Sequence, residues 1–212
     1  MWIDVSTVVR ALGLAALLTI VPVGIGVTVA GDRTPDREKA SYDALDLADF
    51  DTTTAVVQRA PFCDLVPDEA VKAALGTEAK VTAYGNGEKS GALPGGDVAH
   101  EYGCIYAGED TEARAWVFAP PVAAARASAL VEAATAGKGC TAPAGAPAYG
   151  TPSTALVCIT GDQRTISYRG LFGDAWLACT LTVGVAADQA DQVSRAGRWC
   201  VAVAEAASVQ PS

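Results

Sequence analysis

Ala175-Trp176-Leu177-Ala178-Cys179-Thr180-Leu181-Thr182-Val183 sets one apolar series, Ala175, Leu177, Cys179, Leu181 and Val183, against an alternate series that includes two threonines. Side chains of a strand point to opposite faces in turn, so this period of two predicts a strand with one face in a core. Further on, Asp188 to Ala207 places Val193, Gly197, Cys200 and Ala204 at steps of three and four, one stripe of a helix. The two apolar faces should meet. Each carries a cysteine, which pairs Cys179 with Cys200.

Working outward, Pro67-Asp68-Glu69 opens a helix that ends at Gly76, with proline and acids at its start and glycine beyond its end. A strand from Lys80 to Tyr84 and a polar loop reaching Asp97 follow. Alternation returns at His100 to Tyr106 and Ala113 to Phe118, two strands joined by the turn Gly108-Glu109-Asp110. An alanine-rich helix, Pro121 to Ala136, and a Pro/Gly/Ala loop to Pro152 lead to strands at Thr154 to Thr160 and Arg164 to Arg169. Runs of strands closed by helices predict an α+β domain, an antiparallel sheet with helices on one face. The halves suggest a loose duplication, each with a Trp on its third strand, Trp116 and Trp176.

Six cysteines allow 15 pairings, so spacing alone decides nothing. Cys63 stands just before the first helix and Cys104 in a neighbouring strand, which pairs them and leaves Cys140 with Cys158 across the Pro/Gly loop. No CxxC occurs and His100 is the only histidine, so zinc or redox chemistry is disfavoured and a framework of three structural disulfides is expected. That framework implies an oxidising compartment.

An uncharged run of 20 residues, Ala11 to Ala30, precedes the cysteines. As a helix it would reach about 30 Å, the thickness of a bilayer's hydrocarbon core. It exceeds the apolar core of a signal peptide and favours an uncleaved membrane anchor, with secretion after cleavage near Ala30 as the alternative. Arg33, Arg37 and Lys39 follow the run and only Arg10 precedes it, which by the positive-inside rule would leave the long segment in the cytoplasm. The cysteines argue the reverse, and folded domains are translocated largely regardless of flanking charge. The reading is therefore an anchor over 1–30, a stalk over 31–60, an extracytoplasmic domain over 61–207 and a tail over 208–212. Asp43, Asp46, Asp49 and Asp51 in the stalk lack the glycine and terminal glutamate of a calcium loop, and neither metal nor cofactor is expected.

The formal charge is -9. Asp4 and Arg10 cancel within the leader, so the remainder carries all of it, and no basic footprint for nucleic acid is present. Phe62-Cys63-Asp64-Leu65-Val66 ahead of the first helix, with Tyr102-Gly103-Cys104-Ile105-Tyr106 in a strand, resembles the small extracytoplasmic domains of actinobacterial lipoproteins and membrane-anchored proteins of unknown function. These are akin to the sensor domains outside some mycobacterial serine/threonine kinases. The resemblance covers roughly residues 61 to 207 and implies a sensor-like domain of the cell envelope.

A hydrolase would need a nucleophile, a base and an orienting group. His100 is the one imidazole, neither GxSxG nor SxxK occurs, and the carboxylates Glu109, Asp110 and Glu112 lie at a turn. Binding requires less. The strand face opposite the apolar one carries Arg114, Trp116 and Phe118 in the first half and Trp176, Thr180 and Thr182 in the second, with Arg169 nearby. If left open, these would form an aromatic surface for a glycan, a peptide or a lipid headgroup. If loops or the 31–60 segment fold over them, they form a second small core. A structural accessory subunit of an envelope protein complex is the alternative function.

Overall fold

The computed structural model describes residues 41–208. The proposed anchor and all but the first residue of the proposed tail lie outside the described residues. No helix among the described residues is long and apolar enough to cross a membrane.

The elements follow the sequence pattern closely. A 3-10 turn at Cys63–Leu65 precedes α1 (Asp68–Leu75), β1 (Lys80–Tyr84), β2 (Glu101–Ala107), β3 (Glu112–Phe118) and α2 (Ala124–Thr135). The second half comprises β4 (Cys140–Thr141), β5 (Ser153–Thr160), β6 (Gln163–Phe172), β7 (Ala175–Gly184) and α3 (Gln189–Ala207). Asp188 caps α3, its carboxylate accepting from the amides of Ala190 and Asp191, which otherwise lack partners in the first turn. The two-residue β4 carries no periodic signal of its own and was not read from the sequence.

One seven-stranded sheet, in the order β1-β2-β3-β7-β6-β5-β4, is antiparallel throughout. It consists of two meanders that meet where β3 pairs with β7, Val117 opposite Leu177 and Trp116 opposite Ala178. Ala113, Ala115 and Val117 with Leu177, Cys179, Leu181 and Val183 turn to the inner face, each no more than 2 % exposed. α1 and α3 cover that face through Val71, Leu75, Trp199, Cys200 and Val203. The Tyr106 and Trp199 rings meet edge to face at 5.3 Å. Burying a single large aliphatic side chain contributes about 1.5–3 kcal/mol, so this layer is the main source of stability.

Three disulfides close the framework in the expected pairs, Cys63 with Cys104, Cys140 with Cys158 and Cys179 with Cys200. Cys179 and Cys200 are wholly buried and tie the central strand to α3. Cys140 and Cys158 face each other across β4 and β5 and are half-buried.

Two expectations change. Helices do not lie on one face alone: α2 crosses the outer face, where Val122, Ala127, Leu171 and Trp176 form a small second core with Phe118, Leu130 and Val131. The chain must travel from β3 at the sheet's centre to β4 at its edge, and α2 takes it there over the side away from α3. The described part of the proposed stalk also belongs to the folded unit. Leu47 and Val57 are buried in the main core, the Gln58 amide donates to Ala207 O at 2.7 Å, and Arg198 pairs with Asp46 at 2.8 Å. The packed chain thus begins upstream of residue 61, because alternating charges and aspartates masked the apolar anchors Leu45, Leu47, Phe50 and Val57.

Candidate functional site

The outer face is divided. Beneath α2 it is closed; beyond α2 it remains an open groove of about 410 Å³ over β3, β7 and β6, with Tyr84 of β1 and Glu101 of β2 at one side and Leu93 of the 85–100 loop at the rim. Trp116 and Arg114 of β3 lie in it beside Thr180 and Thr182 of β7 and Thr165 of β6.

Strand parity delivers these side chains. Arg114 and Trp116 alternate with the buried Ala113, Ala115 and Val117, and Glu112 lies two residues before Arg114 on the same face. The Arg114 guanidinium grips Glu112 with two bonds, Nε to Oε1 at 2.6 Å and Nη2 to Oε2 at 3.0 Å. The Glu112 carboxylate in turn holds the guanidinium charge more firmly than usual. Across the groove the Tyr84 hydroxyl donates to Glu101 Oε1 at 2.7 Å. Burial pushes the Tyr84 phenol up, with the Glu101 carboxylate adding to it, and burial also raises the Glu101 carboxyl. Thr165 and Thr182 share a hydroxyl–hydroxyl bond of 3.0 Å.

Gly103 explains how Tyr84 reaches its place. It pairs with Tyr84 in the ladder, and a Cβ added there would fall inside the Tyr84 ring. A strand glycine marks a close approach of another group, here the hydroxyl end of the Tyr84 ring, which reaches over Gly103 to Glu101.

Of the residues singled out from the sequence, Arg114 and Trp116 are in the groove. Arg169 stands at its edge, its guanidinium carbon 6.0 Å from the centre of the Trp116 ring, a cation–π distance. Arg169 Nε is buried with no hydrogen-bond partner among the described residues, and burial lowers the pKa of that guanidinium. Phe118 and Trp176 are not part of the open surface. Trp176 is 3 % exposed under α2, so as a contact residue it is corrected to core, and the half-buried Phe118 packs against the same cluster. His100 is exposed, just before β2.

Sequence reasoning missed Tyr84, Glu101, Glu112 and Thr165. Two signals pointed to the first three, the i, i+2 spacing of Glu112 and Arg114 on one strand face and the glycine in the middle of β2, and none pointed to Thr165. The described residues hold no group of three or more His, Cys, Asp or Glu side chains placed to bind a metal. No protein-family model matches the chain, and no curated protein matches it.

Proposed function

We propose that the chain is a membrane-anchored extracytoplasmic domain of the cell envelope that binds or senses a polar envelope component in the outer-face groove, without catalysis. The observation that carries this reading is the half-buried Trp116, left uncovered beside Arg114 while the corresponding Trp176 is sealed. Glu101 and Glu112 offset Arg114 and Arg169, so the groove offers a near-neutral field. Its threonine hydroxyls, carboxylates and indole plane suit a hydroxyl-rich ligand such as a glycan better than a phosphate headgroup, which would call for uncompensated cations. The uncharged run Ala11 to Ala30, three disulfides and the resemblance to extracytoplasmic sensor domains support the location.

A photo-crosslinking residue placed at Arg114 in living cells should capture an envelope component, whereas the same residue at Arg126, exposed on α2, should not. Equal capture at both positions, or none at Arg114, would reject the groove. Protease added to intact spheroplasts should digest the domain, and full protection would reject the topology.

A further inference from the structure

The inner side of the sheet holds a second cavity, larger than the groove and facing away from it. It measures about 630 Å³ and lies between residues 46–48, the 143–147 loop and the first half of α3. Leu47, Pro143, Pro147 and Val193 give it aliphatic walls, Gly197 lets Leu47 pack closely on α3, and Tyr168 lines it. Neighbouring residues of β6 point to opposite faces, so Tyr168 serves this cavity while Arg169 reaches the groove.

Tyr168 differs from the other buried tyrosines. Tyr106 donates its hydroxyl to Cys63 O and Tyr149 donates to Cys200 O, each at 3.0 Å. Tyr168 is 1 % exposed and lines the cavity, and its hydroxyl makes no comparable bond to a backbone carbonyl among the described residues. A tyrosine hydroxyl left unbonded beside a cavity can donate to a polar atom of whatever occupies it.

Charge around the cavity narrows what could enter. Asp46 accepts from Arg198 at 2.8 Å and from Ser194 at 3.3 Å. Asp188 is occupied capping α3, at 2.8 and 3.1 Å from two backbone amides. No basic side chain is among the lining residues. An anionic head would meet Asp46 and Asp188, with Arg198 already engaged by Asp46, and a cationic head would have to displace Arg198. The Cys140–Cys158 bond closes the loop that supplies Pro143 and Pro147, so that wall is anchored.

We propose that this cavity binds an uncharged aliphatic molecule bearing a hydroxyl or ester oxygen, the chemistry of a neutral lipid, with that oxygen paired to the Tyr168 hydroxyl. The volume lies within the range of small-molecule sites, and chain burial against the aliphatic walls supplies the affinity.

The test uses the full chain in amphipol with three probes of equal chain length, 1-decanol, decanoate and decylammonium, read by calorimetric titration and thermal melting. Decanol should bind and raise Tm, since a ligand of the native state stabilises it. Tyr168→Phe should weaken decanol about five- to tenfold, the worth of one hydrogen bond, while melting no lower than the parent without ligand. Ala144→Phe, on an exposed position of the loop, should block the cavity and abolish binding with the fold unaffected. Failure of decanol to bind, or unchanged binding in either variant, would overturn the proposal. Decanoate or decylammonium binding as tightly as decanol would overturn the neutral class. Trp116→Ala should leave decanol binding intact; a loss there would move the alcohol to the groove and overturn the assignment, whatever becomes of the groove's own ligand.

Discussion

Trp116 and Trp176 lie on β3 and β7, the two strands where the meanders meet, and both are on the outer face of one sheet. Trp176 is sealed at 3 % exposure among Leu171, Val122 and Ala127, whereas Trp116 borders a polar groove with Arg169 against its ring. Strand parity treats the two alike. What separates them is the path of α2, which crosses to the β5–β6 side and leaves the β2–β3 side bare. The same residue type on the outer face of two paired strands becomes core in one and borders the groove in the other. Burial of a sheet face is decided by the connection that crosses it.

The sharpest way to break this comparison is to truncate both rings. Trp176→Ala should cost about 3–5 kcal/mol, the usual range for deleting a large buried aromatic, and its Tm should fall accordingly. Next in size, Val131→Asp puts a charge where α2 meets the outer core and should cost about 1–3 kcal/mol. It should also lift α2 and expose Trp176, read as a gain in iodide quenching of tryptophan fluorescence. Quenching that stays unchanged would mean α2 is not what seals the ring. Trp116→Ala should cost about 1 kcal/mol or less, as for other incompletely buried positions, yet abolish the crosslink at Arg114. A collapse of the fold in this variant would make the two tryptophans equivalent and end the distinction.

Much of the fold was legible because its elements obey simple periods. The inner face of β7 and the stripe of α3 are set by alternation and by steps of three and four, and the Cys179–Cys200 pair followed from which faces meet, the other two from proximity and from what remained. α2 was legible as a helix but not as a lid. Ala127 is its one fully buried residue, and an alanine-rich helix has too weak an apolar stripe to reveal which face it covers. The groove was half legible for the same reason. Arg114 and Trp116 follow from parity on β3, whereas Tyr84 and Glu101 enter through ladder register and through the space Gly103 leaves, neither of which a single strand encodes. Segment 45–60 was missed because its apolar anchors are scattered singly among charges, so nothing periodic announces that Leu47 and Val57 reach the core.

The smallest expected effect separates the two halves by charge. The covered half is lined by apolar side chains, while the open half holds Glu101, whose carboxyl is raised by burial and only partly lowered again by the bond from Tyr84. A raised carboxyl binds its proton more readily in the folded state than in the unfolded chain, so its contribution to stability is present at low pH and is lost as pH rises above the ordinary glutamate value. Glu205, also raised by burial and by Asp43, acts with the same sign elsewhere in the molecule, so the groove's share must be read as a difference. Glu101→Gln keeps an acceptor for the Tyr84 hydroxyl and removes the titration. Thermal melts of parent and variant should therefore converge near about pH 4, close to the unperturbed glutamate value, and separate with the variant melting higher as pH approaches about 7. A gap that does not vary with pH, or a parent that melts higher at neutral pH, would show that the carboxylate is solvated well enough to ionise freely and that the groove is no less open to water than the rest of the surface.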